Sequence, residues 1–212
     1  MSTDHDMLTA IYNANIDADG QWIDTGGPSD LALVALAKKQ GFDAHPHVLS
    51  SEQFDKAVAD DGHTVVYRGL KGAGGKSAAD LHDQTRGGAY EPGFGVFGNG
   101  YYMAPGRDKA ESFSDGTVGS VGRYALDAKA RTITYTELDN DFFKYFKSPS
   151  WQTDPVEVRG MHGDFGRYAL ARGFDAIRIP AGTPLAAGGG LVQREEFVIL
   201  NRGALLADRG GS

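Results

Sequence analysis

Hydrophobic spacing changes character about a third of the way along the chain. Through the first 62 residues the apolar positions recur at helical intervals. "PSDLALVALAKKQGF" offers Ser29 as an N-cap and Gly41 as a stop, and "SSEQFDKAVADDG" pairs Ser50 with Gln53 as a capping box and closes on Gly62. From His63 onward the apolar runs shorten and fill with β-branched and aromatic residues. "HTVVYRGL", "GYYMA", "GRYALDA", "TITYTEL", "FDAIRIP" and "EEFVILN" read as strands bounded by Gly, Asp or Pro. Helical spacing returns between them in "KSAADLHDQT", "GRDKAESFS", "LDNDFFKYF" and "VRGMHGDFGRYALARG". Strands and helices do not alternate regularly enough for a doubly wound sheet, so the pattern predicts an α+β fold. The expected organisation is a helical extension over residues 1–62, a main domain over 63–207 and a flexible tail over 208–212.

Composition narrows the chemistry. A chain of 212 residues is long enough for one domain with a proper core and a helical extension. Its 21 basic and 28 acidic residues give a formal charge of -7, which argues against a broad electrostatic grip on nucleic acid or an anionic membrane and leaves only a local basic patch open. The absence of cysteine removes disulfides, thiolate metal sites and thiol nucleophiles together. No basic and apolar leader pattern opens the chain and no window is apolar enough to span a bilayer, so a soluble, cytoplasmic protein is expected. The six histidines, including the "HPH" of 45–47, match no complete ligand set, so no metal is expected. The 30 glycines gather in "KGAGGKS", "RGGAYEPGFGVFGNG" and "AAGGGL", which predicts tight or mobile loops between ordered pieces.

Within those loops "GFGVFG", residues 93–98, matches a dinucleotide-binding glycine pattern in letters only. That fingerprint follows a strand and opens a helix, whereas "RGGAYEP" precedes this one and an aromatic strand-like run follows it. Three other features carry more. Arg68, near the end of "VVYRGL" and just before a glycine-rich loop, is suited to bidentate recognition of phosphate or carboxylate. "FGNGYYMAPGRDKAESFS" sets aromatic residues around a tight Gly turn, with Phe113 brought back by a short helix; such rings can sandwich a flat heteroaromatic ring, or simply pack a core. Asp108 and Glu111 on that helix read as a solvated face. Finally, "EEFVILNRGAL" opens an apolar strand with two carboxylates, Glu195 and Glu196, which costs free energy unless each is exposed, partnered or used.

Taken in order, "YRG", "FGNGYYMA" leading into a helix, and "EEFVILNRGAL" resemble the ADP-ribosyltransferase superfamily, whose members carry an Arg or His on the first core strand, a Ser- or Tyr-bearing second motif and a Glu on a late strand. The middle motif is similar to the G-K-G-I-Y-F-A signature of the poly(ADP-ribose) polymerase and diphtheria-toxin branch, and the first to the Arg-bearing clostridial-type toxins. The whole order resembles the small transferases of bacteriophages and bacterial toxin loci, over roughly residues 29–206.

The resemblance implies a split antiparallel β-sandwich preceded by N-terminal helices, with residues 63–207 as the catalytic domain. It implies NAD as the substrate, no metal, and a mono-ADP-ribosyltransferase joining ADP-ribose to a macromolecular acceptor, protein ahead of nucleic acid. An NAD glycohydrolase with water as acceptor, and an inactive binding or virion module of the same fold, remain alternatives. The site of action would be a host cytoplasm, or a virion. Residue by residue, Arg68 falls where the family orients NAD, Gly69 where a backbone pairs with the carboxamide, and Tyr102 and Phe113 where rings clamp nicotinamide. Gly98, Asn99 and Gly100 form the turn that lines the cofactor. Ala110 stands where the polymerases have a serine. Glu196, directly before the apolar run, matches the catalytic carboxylate, with Gln193, Arg194 and Glu195 on the acceptor side; the toxin pattern Q/E-x-E would instead pair Gln193 with a catalytic Glu195. Strand alternation lets one of the two glutamates face a cleft, not both.

Overall fold

A computed structural model describes residues 37–43, 45–69, 100–114, 121–146, 165–166, 168–170, 172–184 and 190–210. The expectations for Ser29, Gly98, Asn99, the helix of "KSAADLHDQT" and much of "VRGMHGDFGRYALARG" lie outside them. The described residues form a mixed α and β structure with two open, mostly antiparallel four-stranded sheets. In chain order the elements are β1 (His47–Leu49), α1 (Ser51–Asp61), β2 (Thr64–Gly69), β3 (Tyr101–Met103), α2 (Arg107–Glu111), β4 (Val121–Leu126), β5 (Thr132–Thr134), α3 (Tyr135–Phe146), β6 (Ala176–Ile179), β7 (Glu196–Ile199), a 3-10 turn (Arg202–Ala204) and β8 (Leu205–Asp208).

The first sheet runs β1-β8-β4-β2 and the second β3-β7-β6-β5. Each carries one parallel pair at an edge, β1 on β8 and β5 on β6, with antiparallel ladders elsewhere. Their inner faces meet in one core: Val66, Tyr124, Leu126, Leu205 and Ala207 from the first sheet against Tyr101, Met103, Ala176, Phe197 and Ile199 from the second. Side chains alternate along a strand, so the neighbours of these residues point outward and need their own cover. Val121 and Ala125 are buried on the outer face of the first sheet, where α1 sets the fully buried Phe54 beneath the Arg123 guanidinium, 4.6 Å from the ring centre. Ile177, Ile179 and Val198 on the outer face of the second sheet are fully buried as well; α3 packs against β5 and β6, and Tyr135 meets Phe165 edge to face at 5.4 Å.

The local reasons are mostly chemical. Ser50 accepts from the Gln53 N–H while the Gln53 side chain accepts from the Ser50 N–H, and Gly62 ends α1 in the left-handed region, φ 70°. The earlier helix stops as its glycine predicts: Gly41 turns left-handed, φ 83°, and the Phe42 N–H donates to the Ala37 carbonyl. "TITYTEL", expected as one strand, divides after Thr134. The Thr134 N–H and hydroxyl donate to the Glu137 carboxylate and the Glu137 N–H donates back to Thr134 Oγ1, a second capping box that starts α3.

Two strands fall outside the sequence expectation. β1 lies inside the segment read as a helical extension, and β8 includes Asp208, which was read as the start of a flexible tail. Both belong to the first sheet, and β8 is its second strand, between β1 and β4. Three residues with exposed or half-exposed side chains give β1 no apolar alternation to read. Asp208 is held by contacts remote in sequence: its carboxylate accepts from Ser51 Oγ at 2.7 Å and from Arg123 at 3.1 Å, and Arg123 also binds Asp55 at 2.7 Å. No described helix is long and apolar enough to cross a membrane.

Burial alone would raise the Asp208 pKa; the Ser51 hydroxyl, the Gly210 N–H and the Arg123 guanidinium outweigh it and hold the group below the usual aspartate value. A depressed folded-state pKa contributes stability that is present above the unfolded aspartate range and is lost as pH falls through the folded value. Asp208→Asn, which replaces a buried carboxylate by a weaker acceptor for its three donors, is expected to cost about 2 kcal/mol near neutral pH. For a chain of this size that lowers the unfolding midpoint by about 4–8 °C. Thermal unfolding followed by circular dichroism should show the deficit shrinking as the pH drops below the carboxylate range; a deficit that does not change with pH would show that the charge is not the source.

Candidate functional site

Backbone hydrogen bonds join the two sheets at one corner. The Tyr67 N–H donates to the Ala104 carbonyl at 2.7 Å and the Ala104 N–H returns the bond at 2.9 Å, which ties the end of β2 to the residue after β3. The β3 to β7 register, Met103 opposite Phe197 and Tyr102 opposite Val198, brings the start of β7 to the same corner. Glu196, the first residue of β7, therefore stands beside the point where the sheets separate.

Helix α2 closes over this corner, and Gly69 lets it. A Cβ built on Gly69 would lie 2.0 Å from the Ala110 carbonyl oxygen and 2.9 Å from the Ser114 nitrogen, both backbone atoms. Only a residue without a side chain admits that approach. Gly100 has a comparable duty at the start of β3: its φ is 148°, and a Cβ would meet Val198 Cγ1 at 2.5 Å and the Ile199 carbonyl at 2.8 Å. The turn after α2 carries Phe113, whose N–H donates to the Ala110 carbonyl and which is 53% exposed.

Two ion pairs join α2 to the chain entering β7. Lys109 Nζ lies 3.3 Å from Glu196 Oε1, and Asp108 binds Arg194. The Lys109 ammonium also lies 4.8 Å from the centre of the Phe113 ring, so one cation touches both the carboxylate and the aromatic face. The Glu196 side chain is only 17% exposed. Glu195 points elsewhere and pairs with the half-exposed Arg178 of β6. The two adjacent carboxylates thus have separate cations, as alternation on a strand requires. Asp108, read from the sequence as part of a solvated face, is exposed and is also Arg194's partner; that guanidinium's hydrogen bond outweighs the slight desolvation and holds the carboxyl below its ordinary value.

Tyr102 lies on the outer face of the second sheet, the Glu196 side, because its neighbours Tyr101 and Met103 fill the inner core. There it approaches Tyr135, whose phenol pKa is pushed up first by burial and then by the charges of Asp139 and Tyr102. Asp139 is itself raised to about 6 by desolvation. Arg68 takes the inner face: its guanidinium carbon is 4.0 Å from the centre of the Tyr101 ring, and Arg202 lies 5.1 Å from the same ring and donates to the Tyr101 hydroxyl. Gln193 donates to the Leu191 carbonyl at the rim.

The corner thus brings together Glu196, Phe113, Gly69 and the α2 backbone, with Tyr102 on the same face as Glu196, while Arg68 enters between the sheets. Lys109 is the residue that sequence reasoning passed over. Its signal is its place in "RDKAESF", one helical turn before Phe113, but its partner Glu196 lies 87 positions on and no local spacing points to it. Chemically, the corner offers a shielded carboxylate and an aromatic ring, both in contact with one small cation. Among the described residues no group of three or more His, Cys, Asp or Glu side chains is placed to hold a metal ion. No family model, curated protein or solved structure matches the chain.

Gly69→Ala should force α2 off β2, since the two nearest atoms are backbone, at about 1–3 kcal/mol. Thermal unfolding and near-ultraviolet dichroism of the aromatic cluster would register it, and an unaltered spectrum and midpoint would contradict the close approach. Asp139 carries a raised pKa, so its contribution to stability is full below the unfolded aspartate value and is lost as pH rises through about 6. Asp139→Asn is therefore expected to raise the unfolding midpoint at pH 8 and leave it little changed at pH 4.

Proposed function

We propose that the protein is a mono-ADP-ribosyltransferase that cleaves NAD to nicotinamide and joins ADP-ribose to a macromolecule, and that its two sheets are the split β-sandwich of that superfamily. The observation that carries the proposal is the pairing of the Glu196 carboxylate with the Phe113 ring, both in contact with the Lys109 ammonium. Nicotinamide departs as a neutral base from a cationic pyridinium, so the leaving group needs no strong acid. The demand falls on the ribosyl cation that remains, and a nearby carboxylate meets it by opposing the charge and accepting a hydrogen bond from the 2′-hydroxyl. An exposed aromatic face beside that carboxylate suits the flat, positively charged ring.

The other residues take roles that fit their positions. Gly69 lies against α2 and offers backbone groups to the carboxamide, and Tyr102 approaches the ring from the Glu196 side; Arg68, which the resemblance would have orient the dinucleotide, faces the core on the opposite side of the corner from Glu196. Ala110 is buried and supplies no hydroxyl, so the carboxamide relies on backbone groups alone. Gln193, Arg194 and Glu195 line the approach of the acceptor, and the charge of -7 favours a protein over a nucleic acid in that role.

Incubation of the protein with a cell lysate and NAD tagged on its adenine tests the reading. Label is expected on macromolecules with the wild type, reduced at least about 10²-fold in Glu196→Gln while NAD still binds, because the substitution removes charge where the cation develops and leaves the other contacts of the dinucleotide in place. Glu195→Gln should keep most of the activity; the reverse pattern would transfer the catalytic role to Glu195. Consumption of NAD with all label left as free ADP-ribose would make the protein a glycohydrolase, and NAD left untouched would overturn the proposal.

A further inference from the structure

We infer that Lys109 is an intramolecular competitor for the nicotinamide subsite, a resident cation that the ring must displace to bind and that helps expel it after cleavage. The inference rests on the proposed NAD-binding reading of the corner and adds an affinity-setting residue to it. Its ground is a coincidence of position. Stacked aromatic rings place their centroids about 4.5–7 Å apart. The Lys109 ammonium sits 4.8 Å from the Phe113 ring centre, so it fills the volume that a stacked ring would take. The same ammonium is 3.3 Å from Glu196 Oε1, where the ribosyl cation would form. One flexible side chain thus covers both surfaces that the proposed substrate needs.

Charge gives the exchange its direction. Glu196 is largely shielded from water, and a shielded carboxylate without a counter-ion is unfavourable. NAD brings its own cation, so Lys109 can leave while Glu196 stays compensated. When the glycosidic bond breaks, its electron pair departs with the ring nitrogen and nicotinamide is left neutral. Once the ribosyl group has been transferred, no positive charge remains to hold Glu196, and Lys109 is drawn back over Phe113. The side chain then occupies the place of the product. Lysine suits such an exchange: its four-carbon stem is flexible and its charge is compact.

The test is calorimetric titration of NAD, and separately of nicotinamide, into the wild type, Lys109→Met, Lys109→Gln and Lys109→Arg, with thermal unfolding of each. Loss of the cation should tighten both ligands by about three- to ten-fold, the worth of one partly exposed ion pair and one cation–π contact. Lys109→Arg, which keeps a cation, should return the affinity toward wild type. Two neutral variants of different shape keep the test available if one fails to fold. If wild type binds NAD and the folded neutral variants bind it equally or more weakly, the inference falls and the NAD-binding reading stands. If neither wild type nor any folded variant binds NAD or nicotinamide, that reading falls and takes the inference with it.

Discussion

Two backbone hydrogen bonds between Tyr67 and Ala104 are the constraint on which the rest of the corner depends. Each sheet is an open ladder, and packing of inner faces alone would let one slide over the other. The Tyr67 and Ala104 bonds remove that freedom at one end, because backbone groups paired there would otherwise be left without partners in a partly dry place. They fix where β2 ends relative to β3, and through the β3 to β7 register they fix where Glu196 stands. Arg68, Gly69 and Glu196, which come from distant parts of the chain, have their relative positions set by main-chain geometry.

The helix over this corner is five residues long and would not persist by itself. It is held by a close approach and by charge. Gly69 admits the α2 backbone at a distance that no side chain would allow, and Asp108 and Lys109 reach across to Arg194 and Glu196. The consecutive glutamates are thereby divided between two duties, Glu195 paired with Arg178 and Glu196, on the outer face of the second sheet, paired with Lys109. A pair of charges at the head of an apolar strand is accommodated because alternation sends each to a different cation.

Much of this was legible in the chain, for reasons that particular residues make plain. Ser50, Gln53, Gly62 and Gly41 act within a few positions of themselves, so their caps and stops could be read directly. Each of the six apolar runs contains a strand, because β-branched and aromatic composition between Gly, Asp or Pro survives without context, although "TITYTEL" is strand only over Thr132–Thr134. What escaped reading depends on partners far away: β1 has no pattern of its own and exists because β8 pairs with it, and Lys109 matters because of a residue 87 positions later. The division of "TITYTEL" was legible and passed over, since Thr134 and Glu137 spell a capping box that β-branched composition masked. In the corner, the aromatic and acidic residues were visible as types, whereas the close approach at Gly69 exists only in three dimensions.

The place of β8 has a consequence for the growing polypeptide. It is the latest of the described strands to be synthesised, yet it sits between β1 and β4, which are made well before it. Until it leaves the ribosome, β1 lacks its partner among the described strands, the edge of β4 that β8 covers is open, and Arg123 waits without the Asp208 carboxylate. The first sheet cannot assemble progressively as its strands appear. Pairings of long sequence separation form slowly and leave strand edges exposed in the meantime. The nascent protein therefore spends that interval as an unfinished sheet, the period in which an unpaired edge is most open to a chaperone or to another copy of itself.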